Sequence, residues 1–299
     1  MSDFSEPYFN DEKAARKHLE AIRWPEGPVC PHCGSTENIR KLKGKSTRPG
    51  VYKCNACKSP FSVTVGTVFE RSHVPLHIWF RAVYLLCSSK KGISSHQLHR
   101  MLGVTYKTAW FMSHRIREAM KDGTFSPMGG AGSVVEADET YQGKTENIIS
   151  EGSVGPANKR PVVALVERGG SVRSFHVARA DAKTVREILV RNVHRDSHLS
   201  TDESRLYYGV GKEFAKHSRV NHRKGQYVKG AASTNTIEGV FSIFKRGMRG
   251  IYQHCAEKHL QRYLTEFDFR YNRRNVTDLV RAHEALKGIE GKRLVYGGI

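Results

Sequence analysis

The sequence predicts an α/β domain preceded by a zinc ribbon and a small helix-turn-helix domain. Two Cys-x-x-Cys pairs lie near the N-terminus, apolar residues then recur every three or four positions, and β-rich segments alternate with helical ones in the second half. A Gly-rich run precedes the β-rich half and predicts a linker. The expected boundaries are 1–70 for the ribbon, 71–121 for the helix-turn-helix, 122–133 for the linker, 134–275 for the α/β domain and 276–299 for a C-terminal tail.

The paired cysteines predict a structural zinc site. Cys30 and Cys33 form one pair, and Cys54 and Cys57 form the other. Each short loop lets two sulfur atoms reach one tetrahedral ion, and a chain without a secretion signal has little use for disulfides. Four thiolates leave one zinc ion no open coordination position, so its role would be structural. Free or redox-active cysteines are the alternative. Flanking strands are expected over 38–43, 50–53 and 60–69.

The region after the ribbon predicts a helix-turn-helix. Helices are expected over 76–88, 96–102 and 105–120, with Ser94 or Ser95 capping the second and Gly103 forming the turn. A helix after such a turn can face DNA, and the candidate contacts are Tyr106, Lys107, His114 and Arg115. A small helical domain that does not touch DNA is the alternative.

The charge balance favours a polyanionic partner. The chain has 49 Lys and Arg against 29 Asp and Glu, a formal net charge of +20. Such a surplus predicts binding to nucleic acid, whereas a merely soluble basic surface is the plainer interpretation. No apolar run approaches the length of a membrane helix, and the polar segment Met1–Asn10 argues against a secretory signal peptide. We therefore expect double-stranded DNA as partner and no membrane.

The second half predicts strands, a helix, a further strand and more helices. The expected strands cover 134–141, 161–167, 171–178 and 198–201, with a weak one at 219–220, and the expected helices cover 181–194, 235–246 and 257–271. Gly169 and Gly170 predict a hairpin between the second and third strands. This order is typical of an α/β domain.

Three acids in that domain predict a metal-dependent phosphoryl-transfer site. Asp138 lies within the first strand, Asp202 follows the strand 198–201, and Glu238 lies on a helix whose polar face also carries Lys245. Carboxylates from separate elements can hold two Mg²⁺ ions, which prefer oxygen ligands, and a lysine beside them can contact a phosphate backbone.

Plainer interpretations of these acids remain open. Asp202 can cap the next helix, and Glu238 can complete a capping box with Asn235. Three neighbouring acids are second-choice ligands: Glu136, Glu139 and Glu203. Glu136 is the strongest alternative to Asp138, because the two share one face of the strand. Basic residues between the second and third acids are expected along DNA phosphates: Arg219, Arg223, Lys224 and Lys229.

Several sequence blocks resemble the catalytic motifs of ISXO-like insertion-sequence transposases of the DDE type, which are related to the Merlin transposases. These blocks are Val135–Tyr141, Ser200–Asp202, Ser233–Gly239 with Lys245-Arg246-Gly247, and Tyr263–Phe267 with Arg270-Tyr271-Asn272. The resemblance extends to the zinc ribbon and covers about Trp24 to Arg274. One departure is Gln142-Gly143-Lys144, where the family often has two glycines and a lysine.

The resemblance implies an RNase H-like catalytic domain in which Asp138, Asp202 and Glu238 bind two Mg²⁺ ions, for which Mn²⁺ can substitute, beside Lys245. It implies an enzyme that binds the terminal inverted repeats of its element and a target DNA, then cleaves and transfers strands. Further DNA contacts are expected at Lys144, Arg223, Lys224, Lys245 and Arg246. A homo-oligomer, at least a dimer on DNA, and a cytoplasmic, nucleoid-associated location are expected by analogy. The alternatives are a non-catalytic regulator derived from a transposase and a stand-alone nuclease of the same fold.

Overall fold

The chain divides into two units, one of which is built from both ends of the sequence. The computed structural model describes residues 3–123, 126–146, 158–220, 228–229 and 232–296. Unit 1 combines Met1–Lys121 with Asn275–Ile299, and unit 2 comprises Asp122–Arg274. Within the described ranges, no helix has both the length and the apolar character needed to cross a membrane.

Helices and strands follow in the order expected from the sequence, with one additional helix near each end and two additional short strands before the helix expected at 235–246. The α-helices are α1 (Glu12–Arg23), α2 (Leu76–Ser88), α3 (Ser95–Leu102), α4 (Tyr106–Ala119), α5 (Ala182–Asn192), α6 (Asn235–Gly247), α7 (Leu260–Asn272) and α8 (Asp278–Lys287). The strands are β1 (Ile39–Lys41), β2 (Val51–Cys54), β3 (Pro60–Ser62), β4 (Val134–Lys144), β5 (Lys159–Glu167), β6 (Val172–His176), β7 (His198–Thr201), β8 (Lys216–Arg219), β9 (Val228–Lys229) and β10 (Ala232–Ser233).

The ribbon is a three-stranded antiparallel sheet in the order β1-β2-β3, preceded by helix α1. The Asp11 side chain caps α1 by accepting the N–H of Ala14 at 2.7 Å. At the other end of α1, the Arg23 guanidinium donates to the carbonyls of Val63 and Val65 at 2.9 and 2.7 Å. Strand β3 therefore ends earlier than the expected 60–69, because those carbonyls are bonded to α1 and not to a neighbouring strand.

The helical region of unit 1 forms as predicted. The Ser94 hydroxyl accepts the N–H of Gln97 at 3.1 Å and caps α3. Gly103 follows α3 with φ of 66°, the left-handed conformation that glycine adopts without steric cost, and Thr105 then caps α4. Helix, glycine turn and helix thus stand in the order of a helix-turn-helix.

The predicted C-terminal tail 276–299 is wrong, because this segment contains helix α8 and belongs to unit 1. The Thr277 hydroxyl caps α8, and the buried face of this helix includes Ala282, Ala285 and Leu286. Arg281 donates to the carbonyl of Cys87 at 3.0 Å, which ties α8 to the end of α2. Burial of this apolar stripe accounts for the helix where the local sequence looked polar.

Unit 2 is built on a five-stranded mixed sheet in the order β6-β5-β4-β7-β8. The first three strands pair antiparallel, and β4, β7 and β8 pair parallel. Gly169 has φ of 74° in the hairpin between β5 and β6, as that turn requires. The α/β class predicted from the sequence is confirmed.

Helices cover both faces of this sheet. Val163 and Leu165 of β5 pack in the cluster that contains Val185 and Leu189 of α5. The alternating residues face the other side, where Ala164 and Val166 lie with residues of α6, and Val162 lies with residues of α6 and α7. Because β5 is buried on both faces, its sequence is a continuous apolar run.

The predicted linker 122–133 is wrong in its second half, which is part of the unit 2 core. Met128 is 3% exposed and lies in the cluster of α5 and β4, while its N–H donates to the carbonyl of Asn192 at 2.7 Å. Gly129 has φ of 80°, and a Cβ there would lie 2.3 Å from the Ser197 hydroxyl oxygen. Gly129 therefore permits close packing of this segment against Ser197, which a linker would not need.

Candidate functional site

The four paired cysteines come together in one cluster. Their sulfur atoms lie within 4.8 Å of one another, with Cys30 to Cys57 and Cys33 to Cys54 both at 3.7 Å. Zinc–sulfur bonds of about 2.3 Å in a tetrahedron place the sulfurs about 3.8 Å apart. The cluster therefore fits one zinc ion.

The two cysteine loops have matching geometry. The N–H groups of Cys30 and Cys54 donate to the carbonyls of Ser35 and Ser59 at 2.9 and 3.1 Å. The residue after the second cysteine of each pair has a left-handed backbone conformation, with φ of 74° at Gly34 and 62° at Lys58. This repeated turn aims both pairs of sulfur atoms at one point.

Backbone donors favour the thiolate form that zinc requires. The N–H of Ser59 lowers the pKa of Cys57 to about 6. The N–H of Ser35 makes the same contact with Cys33, but desolvation and the remaining thiols raise the pKa of Cys33 to about 12. A second negative charge in this crowded cluster is therefore unfavourable without a cation.

The sheet register brings two of the predicted acids together. Glu136 of β4 pairs with Ser200 of β7 in parallel, so two residues further along each chain Asp138 lies beside Asp202. Glu139 joins them, and carboxylate oxygens of all three lie within 4.8 Å of one another. Such a group of oxygen ligands fits a divalent cation.

Electrostatics in this group oppose ionisation without a cation. Burial and, to a smaller extent, the charges of Glu139, Asp202 and Glu238 together raise the pKa of Asp138 to about 8, whereas the N–H of Glu139 opposes the shift by donating to the Asp138 carboxylate at 2.8 Å. Burial also raises the pKa of Glu139. A bound divalent ion would reverse these shifts, because its charge stabilises the carboxylates.

Glu238 lies outside the compact group but acts on it electrostatically. It is exposed in the first turn of α6, and its carboxylate accepts the Thr234 hydroxyl at 3.0 Å. Its charge is one cause of the raised pKa of Asp138. The capping box with Asn235 is wrong, because Thr234 is the N-cap residue and Asn235 is already helical. Asp202 makes a local contact as well, accepting the N–H of Ser204 at 2.9 Å.

Comparison with known proteins decides the family. The model described as ISXO2-like transposase domain matches residues 129–272, and the model described as transposase zinc-ribbon domain matches residues 10–59. A protein of Halobacterium salinarum, described as an uncharacterized protein in transposable element ISH50, is 30% identical over 282 residues, which cover 88% of this chain and 91% of the relative. The chain belongs to the ISXO2-like transposase family.

A solved structure shares a weaker likeness with this transposase. It is a chain of the cryo-EM structure of a simian T-cell lymphotropic virus intasome in complex with the PP2A regulatory subunit B56 gamma. The identity is 16%, the match covers 57% of this chain and 63% of that chain, and the TM-score is 0.31. The family assignment rests on the other matches.

Glu136 of the transposase has a structural role, although the sequence made it the strongest alternative to Asp138 as a metal ligand. Its carboxylate is fully buried and accepts the N–H of Ile237 at 3.0 Å, the Thr236 hydroxyl at 3.1 Å and the Arg168 guanidinium at 2.7 Å. Arg168 also donates to the carbonyl and hydroxyl of Ser233 at 3.0 and 2.8 Å. Glu136 therefore joins the strand of Asp138 to the helix of Glu238.

Two of the four predicted DNA contacts of the transposase on α4 are wrong. His114 is 0% exposed and Arg115 is 5% exposed. The Arg115 guanidinium donates to the carbonyls of Glu70 and Leu294 at 2.6 and 3.2 Å, so it ties α4 to the C-terminal segment. The sequence pattern could not reveal this packing, because the partners lie far away in the chain.

The other predicted contacts differ in their surroundings. Tyr106 is 46% exposed and stacks on His96 with ring centroids 4.3 Å apart. The Lys107 ammonium is exposed and lies 4.7 Å from the ring centroid of Tyr296. Lys144 and Arg246 are exposed and Lys245 is half-buried, whereas Arg223 and Lys224 lie outside the described residues.

Glu139 was predicted only as a second-choice ligand, and its partner Tyr207 was not predicted from the sequence. The Tyr207 hydroxyl donates to the Glu139 carboxylate at 2.7 Å across a separation of 68 residues. No local pattern marks such a contact. A tyrosine close after Asp202 was the available signal, and it becomes informative only once the sheet register is known.

Proposed function

We propose that this transposase binds the ends of an insertion sequence as double-stranded DNA and catalyses metal-dependent strand cleavage and strand transfer. The observation that carries the proposal is the convergence of Asp138 and Asp202 from two parallel strands into one half-buried acidic group, with Glu238 near enough to raise the pKa of Asp138. In a basic chain of this family, such a group is suited to phosphodiester chemistry.

The residues of the site have distinct proposed roles. Asp138, Asp202 and Glu238 hold two Mg²⁺ ions, for which Mn²⁺ can substitute. Bound divalent ions activate the attacking oxygen and stabilise the leaving oxygen in phosphoryl transfer. Lys245 lies seven residues after Glu238, nearly two helical turns, and contacts a DNA phosphate on the same side of α6. Glu136 orients α6 without binding an ion.

DNA recognition is assigned mainly to unit 1. The cysteine cluster holds its zinc ion as a structural centre, and the exposed side chains of Tyr106 and Lys107 contact the terminal inverted repeats. Lys144, Arg223, Lys224 and Arg246 contact phosphates along the bound DNA. Two element ends must be held for joining, so we propose at least a dimer on DNA and association with the nucleoid in the cytoplasm.

The test uses the full-length protein with bound zinc and a duplex selected by it from random sequences. Asp138→Asn, Asp202→Asn and Glu238→Gln keep side-chain size but remove the charge that holds the ions. Each should abolish Mg²⁺-dependent cleavage and joining nearly as completely as the triple variant, because the three residues act as one unit. Lys245→Ala should have a milder effect.

Specific DNA binding should survive in all three charge-removing variants. Glu203→Ala is the matched control and should retain cleavage. If all three variants still cleave and join in Mg²⁺, the catalytic assignment is wrong. Cleavage of the selected duplex without any joining would instead identify a nuclease.

A further inference from the structure

We propose that Glu139 is a further metal ligand of this site and that the buried hydroxyl of Tyr207 positions it. The inference rests on the proposed function, because it adds a residue to the same metal-dependent centre. It differs from the three-acid assignment in naming a carboxylate that lies beside Asp138 on β4.

Geometry places Glu139 in the group despite strand alternation. Adjacent residues of a strand point to opposite faces, so Glu139 and Asp138 leave β4 on different sides. Beside this part of β4 the neighbouring strand β7 has already ended at Thr201, and the longer Glu139 side chain places a carboxylate oxygen within 4.8 Å of oxygens of Asp138 and Asp202. The carboxylate of Glu238, which is among the described residues, is not part of this group of oxygens within 4.8 Å of one another. Three carboxylates therefore surround a possible ion position without any contribution from α6.

Tyr207 fixes the orientation of Glu139. Its side chain is 0% exposed and packs in the cluster that contains Val135, Ala137 and Leu199. The ring is therefore held on the α5 side of the sheet, and its hydroxyl donates to Oε2 of Glu139 at 2.7 Å. Donors of this kind orient a ligating carboxylate and tune the ion that it binds.

The plainer interpretation is that Glu139 only satisfies the buried hydroxyl of Tyr207. A neutral glutamine would accept the same hydrogen bond without the cost of like charges close together. The chain instead places a third acid within 4.8 Å of two others. A divalent cation offsets that repulsion, which favours the ligand role.

This arrangement has a specific consequence for ion loading. The acids that already lie together come from β4 and from the segment that follows β7, whereas Glu238 comes from α6. The first ion should therefore bind to the free protein through Asp138, Glu139 and Asp202. Loss of the Glu238 charge should affect that first ion much less than loss of the Glu139 charge.

The test measures ion binding rather than turnover. Mn²⁺ is titrated into the full-length, zinc-loaded protein without DNA, and free Mn²⁺ is followed by electron paramagnetic resonance, with Mg²⁺ as competitor. Glu139→Gln should weaken the tightest Mn²⁺ site at least about tenfold, and Tyr207→Phe should weaken it about tenfold, as losses around a metal site do. Glu238→Gln should retain it.

Matched controls lie one residue away. Glu203→Gln removes the same charge outside the group, and Tyr208→Phe removes a hydroxyl that does not contact Glu139, so both should bind Mn²⁺ as the parent protein does. Thermal unfolding shows which variants fold. Tyr207→Phe keeps its buried ring and tests the inference independently if Glu139→Gln does not fold.

The two hypotheses can fail separately. Unchanged Mn²⁺ affinity in Glu139→Gln and Tyr207→Phe, together with a clear loss in Asp138→Asn, would overturn this inference and leave the proposed function standing. Unchanged affinity in Asp138→Asn as well would remove the metal site itself, and the proposed function with it.

Discussion

The carboxylate of Glu136 accepts the backbone N–H of Ile237 at 3.0 Å and so joins strand β4 to the first turn of helix α6. Asp138 lies two residues after the acceptor, and Glu238 immediately follows the donor. A single buried carboxylate thus couples the positions of two proposed metal ligands without being exposed to the site itself.

Replacement of Glu136 should therefore affect both stability and activity. Glu136→Ala leaves the buried N–H of Ile237 and the half-buried donors of Thr236 and Arg168 without this acceptor. We expect a loss of about 2–3 kcal/mol in the free energy of unfolding, measured by denaturant titration, because such unsatisfied groups are costly. Glu203→Ala, which removes an acid without these contacts, should change the free energy of unfolding by less than about 0.5 kcal/mol. Equal stability of the two variants would contradict the role given to Glu136.

Zinc should be stoichiometric and required for order in the ribbon. Elemental analysis should find one zinc ion per chain, since four sulfur atoms lie within 4.8 Å of one another. Cys30→Ser and Cys57→Ser should release the ion and open residues 29–68 to proteolysis, because binding of a structural zinc ion is worth about 10–16 kcal/mol. Cys255→Ser, outside the cluster, serves as control and should keep its zinc. A metal-free protein with a protected ribbon would refute the assignment.

Lys107 should contribute to the salt dependence of DNA binding, whereas Arg115 should not. Lys107→Ala removes an exposed cation at the start of α4, so the plot of log affinity against log salt should lose about one unit of slope. Lys17→Ala makes the same charge change on α1 and should leave the slope unchanged. Arg115→Ala should lower the melting temperature instead, because its buried guanidinium donates to the backbone carbonyls of Glu70 and Leu294. If Arg115→Ala lowered the salt-dependence slope without lowering the melting temperature, Arg115 would be a DNA contact after all.

Helix α8 should be required for the stability of unit 1. Leu286 is 5% exposed, and Leu286→Ala should cost about 2–5 kcal/mol, as truncation of a buried leucine does. Val280 lies on the same helix but is 46% exposed, so Val280→Ala should cost less than about 0.5 kcal/mol. Hydrogen exchange in α2 is the measurement, because α2 carries the Cys87 carbonyl to which α8 is bonded. Similar exchange in both variants would show that α8 does not stabilise unit 1.

Local patterns predicted the elements whose causes are local. The cysteine pairs predicted the four-cysteine cluster that fits zinc, and Ser94 and Gly103 marked the ends of α3 through capping and turn chemistry. Strand β7 was predicted with its observed bounds, and that placed Asp202 at the correct edge of the sheet.

Features that depend on distant partners were not predictable in this way. The faces of α4 are set by contacts with Glu70 and Leu294, so the burial of Arg115 left no mark in its own helix. Strand alternation predicts that Glu139 and Asp138 point to opposite faces. In the structure, the register of β4 with β7 and the hydrogen bond from Tyr207 place the Glu139 carboxylate beside those of Asp138 and Asp202. Helix α8 did carry a signal in Thr277, Ala282 and Leu286, but a short polar stretch needs a partner surface to become a stable helix.

The return of residues 275–299 to unit 1 determines the order in which the protein can be completed during translation. The ribosome finishes the whole of unit 2, residues 122–274, before the sequence of α8 is made. At about 5–20 residues per second, this interval lasts on the order of ten seconds or more. At the end of that interval the nascent unit 1 still lacks the helix that packs against α2, whereas the sequence of every element of unit 2 has been made. Unit 2 is therefore able to fold first, although its sequence comes second.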